Sequence, residues 1–444
     1  MTAGAKFLLA LLAIPAIGAG VLFAARRRLP GLAALLGAST AVGIAALSFE
    51  MLAFSLLGWK WTLPLLLAPA AIAAVWRMSR KSSLLLAPSL PGRRAALGLA
   101  AVALILAAYA AGTARATSSD LILFWGAKGE QFARARTLDF EFLRRPELYL
   151  MHPDYPPGLP FLLAFGTMAA GRFPWGASLL VMPGILAATA AIFKAGAEAR
   201  LRDPEAASWL TVLFTGTLVL TNLVSMTAGN ADSELVLFET AALAALLSIR
   251  EHRLADWSAG LALAAAVLTK LEGVFFTGLV LSGVLIFGGG RWAARLKSAV
   301  RILAAPVVTF LTWYALCRAH GLLDMFRGGP FGAFTLRNFW RIPPAMAVSA
   351  RYDSAYLPWI ALLAAAFVFR RFGRAMLPLW TAAGFLAVNV FFYLHGTRDP
   401  TEWIGWSAAR TLITVLVCGF LSIGRARVSE APGEAEPFPV PART

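Results

Sequence analysis

The sequence predicts an all-α polytopic membrane protein, and the composition, the apolar runs and the placement of basic residues each indicate this fold class. Of 444 residues, 59% are hydrophobic and 14% are charged, and the mean hydropathy is +0.71. An ordinary soluble domain has about 45–50% apolar and about 25% charged residues. A soluble globule, a disordered chain and a secreted disulfide scaffold are therefore excluded. Backbone polar groups in hydrocarbon must pair within their own segment, so the apolar runs are expected to be helices.

Thirteen apolar runs are candidate membrane-spanning helices, of which we expect about 11–13 to cross the bilayer, since roughly 20 apolar residues span it. They are 5–25, 31–57, 62–76, 95–112, 174–193, 206–225, 232–249, 255–269, 273–289, 300–318, 355–369, 374–394 and 403–423.

Basic residues fall in every second connection between these runs, which predicts an orientation. Lys and Arg in short loops mark the cytoplasmic side. With thirteen runs, the N-terminus is outside, the C-terminus is cytoplasmic, and two long connections, 113–173 and 319–354, are extracytoplasmic. The net charge of +17 is attributed to the basic turns, and no nucleic-acid partner is expected. These turns lie within 26–28, 77–94, 194–202, 250–253, 291–301, 370–374 and 425–427.

The chain is predicted to have three parts. Residues 1–94 hold N-terminal transmembrane helices, 95–424 form a transmembrane core, and the Pro- and Glu-containing tail, 425–444, is expected to be disordered in the cytoplasm. Within the first long outer connection, 158–170 is too short to span comfortably and is expected to be a helix at the outer membrane interface.

Two polar motifs lie in the first long outer connection. Asp120 follows a predicted span, and Lys128 comes eight positions later on the same predicted interfacial helix. Asp120 either acts as a base or caps that helix. His152, Asp154 and Tyr155 belong to a turn with three prolines, which fix its conformation. That turn either holds a site in fixed geometry or is purely structural.

Two further motifs lie at shorter outer turns. Asp232 and Glu234 open a predicted helix, where carboxylates favour the helix dipole and the alternative is that Asp232 faces a shared cavity. Lys270 and Glu272 lie between two apolar runs. Charges at that depth either pair with each other or face a cavity.

The last polar stretch contains His395, Arg398 and Arg410. Arg410 lies about two turns into the last run, where it requires an acidic partner or an anionic ligand, unless it snorkels to the headgroups. The second long outer connection carries four arginines, including Arg351. A phosphate-bearing ligand or anionic lipid would explain them.

Together these motifs resemble the GT-C glycosyltransferases, specifically the bacterial relatives of protein O-mannosyltransferase and of the lipid-A aminoarabinose transferase. The resemblance covers about residues 100 to 423, and the first hundred residues look like additional spans. It rests on five motifs in order: an Asp after a span followed by an aromatic residue and a Lys at 120–128, His-Pro-Asp-Tyr-Pro-Pro at 152–157, Asn-Ala-Asp at 230–232, Thr-Lys-x-Glu-Gly at 269–273, and 398–410.

The resemblance implies a GT-C-like core that transfers a sugar, with inversion, from a polyprenyl-phosphate-linked donor to an acceptor hydroxyl on the extracytoplasmic face. The acceptor would be a lipid, a polysaccharide or a protein. Asp120 would be the base and Asp232 the second catalytic carboxylate. No cofactor is required, and a divalent metal held by Asp120 with Asp232 or His152 is left open. The expected substrate-binding residues are Lys128, His152, Asp154, Tyr155, Glu234, Lys270, Glu272, Arg351, His395, Arg398 and Arg410.

Two other classes of function stay open. A polytopic transporter or flippase of a lipid-linked or anionic substrate would use the same carboxylates and arginines as its pathway. The clustering of the polar residues on one face and the lack of a strong internal repeat argue against it. A non-catalytic scaffold subunit would keep the fold but make Asp120 and Asp232 dispensable.

Overall fold

A computed structural model describes residues 1–24, 32–78, 92–114, 119–145, 152–224, 229–322, 339–352, 356–395 and 399–424. Within these ranges every regular element is helical, so the all-α prediction is confirmed. The helices are α1 (Ala3–Ala24), α2 (Leu32–Leu56), α3 (Leu63–Met78), α4 (Arg93–Thr113), α5 (Gly126–Ala135), α6 (Phe140–Leu143), α7 (Gly158–Ala170), α8 (Trp175–Ser178), α9 (Val181–Leu201), α10 (Pro204–Val224), α11 (Asp232–Ser248), α12 (His252–Thr269), α13 (Glu272–Phe287), α14 (Trp292–Ala319), α15 (Ile342–Tyr352), α16 (Tyr356–Val368), α17 (Met376–His395), α18 (Pro400–Thr411) and α19 (Ile413–Ser422). A π-helical turn covers Leu121–Trp125 and a 3₁₀ turn covers Arg370–Phe372.

Each predicted apolar run coincides with a helix, and two runs are divided. The run at 174–193 begins with the separate short helix α8, and the last run is broken at Leu412 between α18 and α19. Among the described residues, six helical stretches are long and apolar enough to cross a membrane: α1, α2, α4, α8 together with α9, α14 and α17. This composition indicates a membrane protein, while thirteen crossings stay a prediction.

Helix α11 lies at the centre of the packing, because α9, α12 and α19 all contact it. Nearly every residue in its first eleven positions is buried, including three acids, Asp232, Glu234 and Glu239. Burying carboxylates is costly unless they have hydrogen-bond or ionic partners. The neighbours of α11 must therefore supply those partners, and they determine where the polar site lies.

The helix predicted at 158–170 is present as α7. Its first ten residues are all buried, and it packs against α1, α5 and α12. At Gly166 an added Cβ would come within 2.5 Å of the ring of Phe7, so α1 and α7 approach as closely as they do because this position is glycine. The position of α7 at the outer membrane interface stays a prediction.

Candidate functional site

Five charged side chains from distant parts of the chain meet at one end of α11. They come from the turn before α5, the start of α11, the α12–α13 connection and the end of α18. We call them the charge cluster: Asp120, Asp232, Lys270, Glu272 and Arg410.

Asp232 is the centre of the charge cluster. Its Oδ1 lies 2.8 Å from Nζ of Lys270, and its Oδ2 accepts hydrogen bonds from Nε and Nη2 of Arg410 at 3.2 and 3.0 Å. Asp232 also lies in the first turn of α11, where a carboxylate favours the helix dipole. Both oxygens are held by cations, which fixes the carboxylate in place.

Arg410 joins the two carboxylates that the sequence singles out. Its Nη1 lies 3.0 Å from Oδ2 of Asp120, while its other donors contact Asp232. The rigid guanidinium fork suits such a double contact. Arg410 is also one residue from the end of α18, just before the break at Leu412. The acidic partners show that Arg410 does not simply snorkel to the headgroups.

Asp120 lies directly before the π-helical turn, and its side chain makes no capping hydrogen bond there. Single π turns are rare and occur frequently at functional sites. The carboxylate instead contacts Arg410, so the capping interpretation is wrong for this residue.

Lys270 connects Asp232 to Glu272. It follows the last residue of α12 in an extended conformation, and its Nζ lies 2.8 Å from a Glu272 carboxylate oxygen. Burial by itself would lower the pKa of Lys270, but the Asp232 and Glu272 carboxylates raise it above its ordinary value. Lys270 therefore stays cationic, and with two cations and three carboxylates the charge cluster carries a formal charge of −1.

The charge cluster is closed on one side and open on the other. The side chains of Asp232 and Lys270 are 4% and 5% exposed, whereas those of Asp120, Arg410 and Glu272 are 20%, 24% and 28% exposed. A ligand can therefore reach Asp120 and Arg410, while the buried Asp232 fixes the position of Arg410.

The turn that contains His152 is held by donors from two helices. Lys128 Nζ on α5 donates to the His152 carbonyl at 2.6 Å, and Trp313 Nε1 on α14 donates to the Asp154 carbonyl at 2.8 Å. His152 has φ 48°, in the left-handed region that non-glycine residues rarely adopt. At Gly158, an added Cβ would come within 3.0 Å of Thr269, so the turn and the α12 end are in close contact.

Aromatic rings connect this turn to the charge cluster. The His152 ring stacks on Tyr155 with centroids 4.6 Å apart, and Tyr155 stacks on Trp125 at 6.0 Å. Burial, followed by the nearby Glu272 carboxylate, raises the pKa of Tyr155 above its ordinary value. Tyr155 therefore stays a neutral hydroxyl beside the cluster, and it can donate a hydrogen bond to a ligand oxygen.

Lys128 is expected from the sequence to bind substrate, but in the structure it is buried against the turn that contains His152. Its side chain is among the most completely buried, and its Nζ donates to the backbone carbonyl of His152. Burial lowers the pKa of Lys128 to about 7, although the Asp154 charge opposes this shift. A buried amine is well suited to positioning the turn, and is poorly placed to contact a ligand directly.

Two buried acids lie deeper along α11. Thr269 Oγ1 donates to Glu234 at 3.3 Å, and Thr414 Oγ1 on α19 donates to Glu239 at 2.8 Å. One carboxylate oxygen of each acid is buried without a hydrogen-bond partner. Glu239 is not among the residues predicted from the sequence, although it follows Asp232 by seven residues, a spacing that predicts the same helix face two turns deeper.

Three expected substrate-binding residues cannot be located. The side chains of Arg351 and His395 and the whole of Arg398 lie outside the residues that the structure describes.

The charge cluster does not fit a metal. Among the residues that the structure describes, no three His, Cys, Asp or Glu side chains converge in a way that could hold a metal ion. Asp120 and Asp232 face Arg410, and Lys270 contacts the other Asp232 oxygen. Two cations therefore already occupy the position at which these carboxylates would bind a metal.

Comparison of the chain with protein-family models, with curated proteins and with solved structures found no match. The function is therefore inferred from the residues of the site.

Proposed function

We propose that this chain is an integral membrane glycosyltransferase that moves a sugar, with inversion, from a polyprenyl-phosphate-linked donor to an acceptor hydroxyl. The observation that carries the proposal is that Asp120 and Asp232 share the guanidinium of Arg410, and that Asp120 and Arg410 are partly exposed. The order of the five sequence motifs, which resembles that of GT-C enzymes, gives a second and separate argument.

The proposed topology has thirteen crossings in a bacterial inner membrane, with the N-terminus and the charge cluster on the extracytoplasmic face. Alkaline phosphatase is active only outside the cytoplasm, so a fusion after Met151 is expected to be active. An inactive fusion that is expressed at the same level would overturn the topology.

In the proposed reaction, Asp120 is the general base. The acceptor oxygen attacks the anomeric carbon, its proton passes to the Asp120 carboxylate, and the bond from that carbon to the phosphate oxygen breaks. Asp120 suits this task better than Asp232, because it is partly exposed while both Asp232 oxygens are held by cations. A positioned general base contributes about 10²- to 10⁴-fold in rate.

Arg410 is the group proposed to stabilise the departing polyprenyl phosphate. Its guanidinium is partly exposed beside Asp120, and preorganised cations stabilise the charge that develops on a leaving group. When Asp120 takes the acceptor proton, it loses its charge and its attraction for Nη1 of Arg410 weakens. That donor then becomes available as the departing phosphate, already a monoanion in the donor, gains its second negative charge, so the two charge changes are linked.

The proposal is tested with purified protein in lipid nanodiscs, supplied with radiolabelled polyprenyl-phosphate sugars and candidate acceptors. Asp120→Asn is expected to lower transfer by at least about 10²-fold. Glu141→Gln is the matched control, because Glu141 lies in the same outer connection with its side chain 89% exposed. Transfer by Asp120→Asn at the wild-type rate would refute the assignment of the base.

Transport of a lipid-linked or anionic substrate is the second candidate function, and the buried acids of α11 favour it. Glu234 and Glu239 lie below the charge cluster, where an intramembrane pathway would require polar groups. Proteoliposomes loaded with the lipid-linked sugar distinguish the two functions. Movement of the sugar across the bilayer without transfer to an acceptor, abolished by Glu239→Gln, would replace the transferase proposal.

A further inference from the structure

A basic site lies at the opposite end of α11 from the charge cluster. Ser248, at the end of α11, donates to the carbonyl of Gly196 on α9, so the two helices end side by side. The 17 residues of α11, Asp232–Ser248, correspond to about 26 Å of helix. Three chain segments meet there: the α9–α10 connection, the 3₁₀ turn between α16 and α17, and the end of α19.

An open cavity of about 530 Å³ lies between the first two of these segments. Its apolar lining comes from Leu201, Pro204 and Phe372, and its charged lining comes from Arg202, Asp203 and Arg371. The volume lies within the range of about 300–1,000 Å³ that is typical of small-molecule sites. Leu201 is fully buried and Phe372 is 7% exposed, so Pro204 is the main accessible apolar residue beside the two guanidinium groups.

The single acid of the cavity is already engaged. Asp203 Oδ1 accepts the backbone N–H of Ala206 and so caps α10, while its Oδ2 lies 3.4 Å from Nη2 of Arg371. The Arg371 guanidinium also lies over the Phe372 ring, 4.6 Å from its centre. Its side chain is 70% exposed, which leaves the remaining donors accessible from outside.

A buried arginine adds positive charge behind this cavity. Arg200 is 6% exposed, and it donates to the backbone carbonyls of Gly196 and Leu421. Backbone carbonyls carry no net charge, and Nη2 of Arg200 is buried without a hydrogen-bond partner. Arg202 and Arg371 line the cavity with Asp203, and Arg200 directly precedes the lining residue Leu201, so these four side chains have a formal charge of +2.

We propose that this cavity binds the phosphate headgroup of an anionic phospholipid. Guanidinium groups bind phosphate oxygens in pairs, and basic pockets between helices on the cytoplasmic side suit anionic lipids. The exposed ring of Pro204 and the accessible edge of Phe372 are suited to the glycerol and the first acyl carbons, which free phosphate lacks. The site is separate from the charge cluster and does not depend on the proposed transferase activity.

The experiment measures lipid binding to the purified full-length protein in neutral detergent. Phosphatidylglycerol, phosphatidylcholine and inorganic phosphate are titrated separately, with thermal stability and native mass spectrometry as the readouts. A ligand that binds the folded state raises the melting temperature. Phosphatidylglycerol is expected to raise it, whereas phosphatidylcholine and inorganic phosphate leave it unchanged.

The decisive variant is Arg202→Gln with Arg371→Gln, which is expected to weaken phosphatidylglycerol binding by about tenfold or more, as loss of charge-assisted hydrogen bonds predicts. The matched control is Arg250→Gln with Arg253→Gln. It removes the same charge from the connection after α11 and from the first turn of α12, and it is expected to bind normally.

Equal loss in the control would overturn the proposal, because binding would then follow total charge. An equal response to inorganic phosphate would also overturn it, since the site would be a general anion site. If the double variant does not fold, Arg371→Lys keeps the charge beside Asp203 but loses the planar fork. Unchanged binding by a folded Arg371→Lys variant would overturn the proposal as well.

Discussion

Replacement of Arg410 by glutamine removes a side chain that contacts both Asp120 and Asp232. The two contacts differ in burial, because Asp232 is 4% exposed and Asp120 is 20% exposed. The substitution leaves Asp232 with Lys270 as its cation, while Asp120 gains access to water. We therefore expect the loss of stability to come mainly from the contact with Asp232.

The magnitude follows from the burial of each contact. Loss of one partner from a buried ion pair costs about 3–5 kcal/mol, and Lys270 remains to compensate part of the Asp232 charge, so we expect about 3 kcal/mol for Arg410→Gln. The contact with Asp120 is more exposed and contributes at most about 1 kcal/mol. The predicted coupling energy is about 2–3 kcal/mol between Arg410 and Asp232, and less than about 1 kcal/mol between Arg410 and Asp120.

The free energy of unfolding in bicelles measures these terms. The set of variants is Arg410→Gln, Asp232→Asn, Asp120→Asn and the two double variants, which together form two double-mutant cycles. A change below about 0.5 kcal/mol for Arg410→Gln would contradict the reasoning, since surface substitutions fall in that range. A larger coupling to Asp120 than to Asp232 would also contradict it.

Three further predictions concern the turn at His152. The first is that the free energy of unfolding of the wild type, measured relative to Lys128→Met, should rise between about pH 7 and 10.5. In this range the folded state has lost the Lys128 proton while the unfolded state still holds it. A difference between the two proteins that does not change with pH would contradict this. Gly158→Ala should cost about 1–3 kcal/mol in chemical unfolding, because the new Cβ lies 3.0 Å from backbone atoms of Leu268 and Thr269. Gly278→Ala, with open space around it, is the control and should be near neutral. Trp313→Phe should lower the free energy of unfolding by about 1 kcal/mol, because the hydrogen bond to the Asp154 carbonyl is lost, and the melting temperature should fall with it. An unchanged melting temperature would show that this bond does not contribute to stability.

Much of the candidate site was predictable from the sequence, because its residues are polar in an apolar chain. Charged groups at membrane depth require partners, which predicts partners for Lys270, Glu272 and Arg410, while one of the two sequence interpretations of Asp232 places it in a cavity shared with Asp120. Glu239 was missed, although its spacing from Asp232 contained the same signal.

Lys128 differs from its expected role for a reason that depends on packing. It shares a predicted helix face with Asp120, but the chain folds the His152 turn over it, so the amine is buried and donates to the His152 carbonyl.

The sequence by itself determined that this chain is helical and apolar enough for a membrane, because hydrocarbon allows an isolated backbone segment to satisfy its hydrogen bonds only as a helix. It also identified charged side chains that require a partner in an apolar surrounding. Only the tertiary structure decided which of them meet. Asp120, Asp232 and Arg410 are separated by more than a hundred residues along the chain, and contacts at such separations depend on how the helices pack, which no local pattern of residues encodes.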